Sequence, residues 1–157
     1  MKALLLLSGG LDSILAGRLM QEEGVEVEAI NFVTCFCTCT SKNSCKSAAL
    51  KASEELKIPL KMLNVTMEYL EIVKNPEHGY GSNMNPCIDC RIFMLKKAKA
   101  YMEETGAGFI VTGEVLGERP MSQRRDAMHL IEKKAGLKGF ILRPLSAKLM
   151  DETIPEK

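Results

Sequence analysis

A short apolar run, Ala3 to Leu7, leads into Ser8-Gly9-Gly10-Leu11-Asp12-Ser13 and then into Ile14 to Met20, an amphipathic helical stretch. Apolar strand, tight glycine turn, helix: this order is the entry to a nucleotide-binding α/β unit. Two adjacent glycines let the backbone approach a ligand closely and adopt angles closed to other residues. The amides that open the following helix then converge, and the helix dipole favours an anion there. Ser8 and Ser13 add hydroxyl donors. Asp12 also suits a helix cap, so a plain turn-and-cap is the competing reading of these six residues. No Gly-Lys-Ser/Thr follows, so this is no Walker A loop, and the dinucleotide Gly-x-Gly-x-x-Gly is absent. The turn suits a phosphate or pyrophosphate.

The rest of the chain alternates strands with helices. Lys2 to Leu7 reads as a buried parallel strand, and Asp12 to Glu23 as a helix stopped at Gly24. Val25 to Val33 gives a second strand, Cys45 to Leu56 a helix, and Leu60 to Val65 a third strand. Met67 to Val73 is a short helix, and the Pro-, Gly- and Asn-rich stretch from Asn75 to Pro86 a loop. Ile88 to Glu104 is a long helix ended by Gly106. Phe109 to Thr112 is a fourth strand, Val115 to Gln123 a polar loop, Arg124 to Lys134 a helix, and Gly139 to Leu142 a fifth strand. This is an α/β, doubly wound parallel sheet of Rossmann type with five strands, in one domain over residues 1–157. Ligands of such sheets sit at the carboxyl ends of the strands. The glycine turn, the Cys35 stretch and Thr112-Gly113-Glu114 all fall there.

The net charge of +1 supplies no field that would draw the whole molecule to nucleic acid or membrane. RNA contact therefore needs a local patch. Leu4 to Leu7 is far too short for a membrane span or a signal peptide, which points to the cytoplasm. Six cysteines in a reducing compartment are metal ligands or reactive thiols rather than disulfides.

Cys87-Ile88-Asp89-Cys90 follows Pro86 and opens a helix, a position that lowers a thiol pKa. Cys90 falls near the same face of the first turn. The pair can bind a metal, carry a persulfide or cycle as a dithiol. A closed zinc site needs two more ligands, and Cys35, Cys37 and Cys39 share one face of an extended chain. An iron–sulfur cluster on Cys35, Cys87 and Cys90 and a structural zinc are both open readings, as is a plain apolar role for Cys35 and Cys37. His78 and His129 read as ordinary polar residues without a partner at ligand spacing.

Ser8 to Ser13 resembles the PP-loop, Ser-Gly-Gly-x-Asp-Ser, of the N-type ATP pyrophosphatases. With the blocks Gly79 to Cys90, Thr112 to Gln123 and Leu142 to Lys148, the whole chain resembles tRNA-thiouridylase-like proteins, relatives of the tRNA 2-thiouridine synthases. The resemblance implies an adenine nucleotide α-hydrolase-like fold. It implies that Ser8, Gly9, Gly10, Asp12 and Ser13 hold ATP phosphates with magnesium, that Asn31 and Phe32 take the adenine, and that Gly113 lines the site. Cys87 matches the catalytic cysteine position. The 2-thiouridylases place a second catalytic cysteine later in their chains, so Cys90 or the Cys35 group is expected in that part, and Cys-x-x-Cys thiouridine synthases with an iron–sulfur cluster are the closer chemical analogy.

The implied reaction is adenylation of a tRNA uridine with loss of pyrophosphate, then replacement of its oxygen by sulfur; Cys87, Cys90 and Asp12 are the expected catalytic set. Arg119, Arg124, Arg125, Arg143 and Lys148 are the expected RNA contacts. A sulfur-donor protein is a candidate partner, and the oligomeric state is open, a homodimer among the options. An amidating PP-loop ligase, a desulfurating iron–sulfur enzyme and a non-catalytic nucleotide- or metal-binding module are the alternatives.

Overall fold

The computed structural model describes residues 1–35, 45–81, 86–119 and 121–157, with residues 45–47 described by their backbone alone. Five strands form one parallel sheet: β1 (Lys2–Leu6), β2 (Glu26–Val33), β3 (Leu60–Asn64), β4 (Phe109–Val111) and β5 (Ile141–Leu142). Their spatial order is β3-β2-β1-β4-β5. The helices are α1 (Leu11–Glu22), α2 (Cys45–Leu56), α3 (Thr66–Lys74), α4 (Cys87–Thr105) and α5 (Arg125–Ala135).

From Ala3 on, β1 is apolar because both of its faces are covered, as a central parallel strand requires. Ala3 and Leu5 pack with Ala16 and Met20 of α1 and with Ala52 and Leu56 of α2. Leu4 faces the other way, with Ile30, with Ile92, Leu95 and Ala98 of α4, and with Ile131 of α5. The two-residue period of the strand thus divides the core into two layers.

The chain leaves β1 towards β2 on one side and reaches β4 on the other. The strand order reverses at β1, and the connections from the carboxyl ends of β1 and β4 diverge there. That crevice is where an open α/β sheet takes its ligand. The strands and helices fall within a few residues of their sequence-based positions. The largest difference is at β5, which pairs over Ile141 and Leu142 only; α4 starts on Cys87, one residue earlier than expected. Among the described residues no helix is long and apolar enough to cross a membrane.

Candidate active site

Gly10 is the N-cap residue of α1, in extended conformation at φ −78° and ψ 161°. Asp12 therefore lies within the first turn rather than capping it. Ser13, buried, donates from Oγ to the Gly10 carbonyl at 2.9 Å, and Ser8 Oγ lies 3.2 Å from Ser13 Oγ. The Gly10 N–H donates back to Ser8 Oγ at 3.3 Å. The two hydroxyls and the turn hold one another in place. Gly9 has φ +87°, and a Cβ there would fall 2.6 Å from the backbone of Ala48 in α2. Glycine is needed at that position on both counts.

Beside this loop, Asn31 of β2 donates from Nδ2 to the Leu7 carbonyl at 2.8 Å, tying the ends of two strands together. Its Oδ1 is buried with no hydrogen-bond partner among the described residues, and so is Oε1 of Gln123. Both side chains stand in the wall of a cavity of about 440 Å³. Ser8, Gly10, Asp12 and Ser13 form one side of that cavity, and Asn31 and Phe32 another. Cys87, Cys90 and Arg91 of α4 stand with Gly113 and Glu114, and Glu118, Arg119, Ser122 and Gln123 complete the wall. Orphaned acceptors in a roomy polar cavity fit a ligand that brings its own donors, as adenine does through its amino group.

Cys87 is the first residue of α4, after the N-cap Pro86, and Cys90 is one turn on. Burial pushes the Cys90 thiol up, and a hydrogen bond with Tyr69 of α3 and the charge of Arg91 act the other way. The buried Tyr69 phenol is in turn pushed up, first by burial and then by the thiolate charge of Cys90, Cys87 and Cys35. Three cysteines are thus within electrostatic reach of one phenol. Cys35 is exposed just past β2. Cys37 and Cys39 lie outside the described residues.

Among the described residues the one set of three ligand-bearing side chains close enough to share a single ion, within 4.8 Å of one another, is Glu77, His78 and Asp89. The Asp12 carboxylate in the cavity does fit a magnesium ion shared with phosphate oxygens.

One expectation is corrected. Arg143 is no surface contact for RNA: its side chain is 4% exposed, bound through Nε to Glu114 Oε2 at 2.9 Å and through Nη1 to Glu132. A cation following a buried strand end is driven inward when carboxylates wait there to neutralise it. His78, read as an ordinary polar residue, finds a partner across the loop. Its backbone N–H donates to Asp89 Oδ2 at 2.8 Å, and its Nδ1 lies 2.8 Å from Asp89 Oδ1. The pair fastens the loop before α4 to the helix turn that carries both cysteines. Arg119, Arg124, Arg125, Lys148 and His129 are exposed.

Arg91 enters the site without having been singled out in the sequence, and Glu114 was placed there only within Thr112-Gly113-Glu114, with no role of its own. Arg91 Nε donates to Glu114 Oε1 at 2.6 Å, and Thr112 Oγ1 donates to Glu114 Oε2 at 3.1 Å. Burial pushes the Glu114 carboxyl up, but the Arg91 and Arg143 guanidiniums reverse this and hold it at about 2. The one local signal was a charged residue placed directly after a buried strand end.

The sheet order, the glycine turn at the switch point and the amide-lined cavity define a PP-loop nucleotide-binding domain. The model of the ThiI family, described as thiamine biosynthesis protein (ThiI), matches residues 1–154, and the chain belongs to that family. It is 38% identical over 144 residues to a probable tRNA sulfurtransferase of Lysinibacillus sphaericus, an alignment covering 92% of this chain and 34% of that protein. It is 28% identical over 116 residues to the tRNA-specific 2-thiouridylase MnmA of Leptospira interrogans, covering 63% of this chain and 31% of that one. Among solved structures it is similar to a 4-thiouridine synthetase in complex with RNA and bound ATP. That match has 31% identity and a TM-score of 0.74, over 92% of this chain and 36% of the other. NMN synthetase from Francisella tularensis, at 13% identity and a TM-score of 0.58 over 87% of this chain and 61% of that one, shares the fold. The chain spans about a third of the length of the tRNA sulfurtransferases it matches.

Proposed function

We propose that this chain carries the ATP-using and sulfur-handling centre of a tRNA sulfurtransferase. What carries the reading is one juxtaposition: Cys87 and Cys90 open into the same cavity as the Ser8 to Ser13 loop. An amidating ligase of this fold has no use for two thiols facing its nucleotide. The names of the relatives support tRNA as substrate, and the likeness to a 4-thiouridine synthetase favours carbon 4 of uridine as the site of exchange.

The phosphates of ATP rest on the amides that open α1, with Ser8 and Ser13 as further donors and Asp12 as a ligand for magnesium. A uridine carbonyl oxygen attacks the α-phosphorus and pyrophosphate leaves. The amides and hydroxyls are already oriented, so they stabilise the developing charge without reorganising. The base now carries AMP on its oxygen, a far better leaving group than oxide.

Sulfur arrives on Cys87 as a persulfide from a sulfur-donor protein. Its terminal sulfur attacks the activated carbon and AMP departs with the original oxygen. The base is then joined to Cys87 through a disulfide bond. The Cys90 thiolate attacks the Cys87 sulfur, that bond breaks, and thiouridine leaves as its thiolate. A Cys87–Cys90 disulfide remains, and an external dithiol reduces it before the next turnover. Residues one helical turn apart are close enough for this exchange. The cytoplasm, reducing and rich in tRNA, is the compartment this chemistry requires.

The test combines the chain with ATP, magnesium, a persulfide donor, a dithiol and unmodified tRNA. Pyrophosphate and nucleoside composition are followed together. Thiouridine should form only with ATP and disappear in Cys87→Ser. Pyrophosphate release that continues unchanged, with no thiouridine in the wild type, would assign the domain to another ATP-cleaving reaction.

A further inference from the structure

Arg91 follows the second cysteine of Cys-x-x-Cys and is tied at one corner only. Its Nε is taken by Glu114 Oε1 at 2.6 Å. Its terminal amino groups have no partner among the described residues, and the side chain, 27% exposed, stands in the cavity wall. Glu114 cannot turn away, since its second oxygen accepts from Arg143 Nε and Thr112 Oγ1. Arg143 is anchored in turn on Glu132. A chain of buried ion pairs thus ends in one half-exposed guanidinium that points donors at the cavity.

The charges around the cavity are otherwise poorly suited to a polyanion. Asp12, Glu114 and Glu118 bring carboxylates, and the cations are Arg91 and Arg119. Arg119 lies on the exposed loop after β4. Arg91 stands beside Cys90, at the end where sulfur must meet the activated carbon. The phosphate bonded to that carbon's oxygen is the α-phosphate, while the β- and γ-phosphates belong with the amides of the loop.

We propose that Arg91 is an α-phosphate-binding residue of this cavity, gripping that group with its two terminal amino groups, and that Glu114 and Arg143 are positioning residues that aim it. The identity of the ligand rests on the functional reading above. A planar fork fixed through Nε leaves both terminal groups free to take two phosphate oxygens at once. The same contact serves twice, during attack at the α-phosphorus and when AMP leaves. Lysine at this position could hold Glu114 or phosphate, not both.

The experiment is calorimetric binding of ATP, AMP and adenosine to the wild type, Arg91→Gln, Arg91→Lys and Glu114→Gln. AMP and ATP affinity should each fall roughly tenfold or more in both Arg91 variants, with adenosine affinity unchanged. Glu114→Gln should lower the AMP-to-adenosine affinity ratio in the same direction. If it does not fold, the two Arg91 variants, altered at a half-exposed side chain, decide the matter. An unchanged AMP-to-adenosine ratio in Arg91→Gln would overturn the assignment. So would loss of ATP affinity with AMP affinity intact, which places the contact on the outer phosphates. Thiolation is not part of this readout. A wild type that binds AMP through Arg91 but makes no thiouridine would remove the functional reading and leave the contact standing.

Discussion

Gly113, at the end of β4, rests on the backbone of Asp12 in the first turn of α1. A Cβ on Gly113 would fall 2.6 Å from the Asp12 carbonyl carbon and from the Ser13 nitrogen. Both are main-chain atoms, so no side chain can swing aside to make room. Gly113→Ala should push β4 and the α1 entry apart, costing on the order of 1–3 kcal/mol in stability, the range for overpacking a tight contact. ATP affinity should drop at least tenfold, because the amides that open α1 would no longer converge. Denaturant unfolding and calorimetry on one preparation check both. A stable variant with normal ATP affinity would mean the loop yields without harm.

Acid should unfold the protein through Glu114. Its folded pKa, about 2, lies below the ordinary carboxylate value, so it adds stability above pH ~4.5 that is lost as pH falls towards 2. The shift corresponds to about 3 kcal/mol. Urea midpoints measured from pH 6 to pH 3 should fall steadily in the wild type. Glu114→Gln, already weakened because Arg91 loses its carboxylate and Arg143 keeps only Glu132, should show a shallower dependence over that window.

RNA contact should fall to the exposed cations. Arg119 lines the cavity mouth, Arg124 pairs with Asp126 at 3.5 Å, and Arg125 Nη2 donates to the Leu149 carbonyl at 2.5 Å. Replacing all three with Ala should weaken tRNA binding and reduce its salt slope by roughly 2–3, the counterions released by three phosphate contacts. Arg143→Ala should instead act through folding. Filter binding across a salt series separates the two, and an unaltered slope in the triple variant would move the RNA surface elsewhere.

The two thiols of α4 should differ in reactivity from the exposed Cys35. Burial raises the Cys90 pKa against the pull of Tyr69 and Arg91. Alkylation followed by peptide mass spectrometry should modify Cys35 first and Cys90 slowly at neutral pH, with a rate that climbs as the thiolate forms. Tyr69→Phe removes a hydrogen bond that favours the thiolate and should slow Cys90 further. Faster alkylation in that variant would mean that Tyr69 chiefly shields the sulfur.

Much of this site was legible in the chain because its parts are local. A strand, two glycines and a helix start run consecutively from Lys2 to Ser13, and Cys87 and Cys90 share one helical turn. What escaped the sequence depends on pairing across distance. Nothing near Arg91 points to Glu114, 23 residues on, and nothing near Arg143 points to Glu132 on the preceding helix. His78 and Asp89 are joined only because the loop folds back over the start of α4. Periodicity finds elements and motifs find loops, whereas ion pairs between elements follow from the sheet order.

The position of β1 in the middle of the sheet also governs when the cavity can come into being. Ala3 pairs with Val27 nearby but also with Phe109, over a hundred residues further along. Closing so long a loop is entropically slow, and parallel pairing of this kind delays folding relative to local contacts. A nascent chain shows the complete Ser8 to Ser13 signature well before β4, yet Gly113, Glu114 and Gln123 are added only after β4 has been made. Nucleotide cannot help the early half to fold, because the cavity that would hold it does not exist. Once β4 has docked, bound ATP stabilises the finished sheet by mass action.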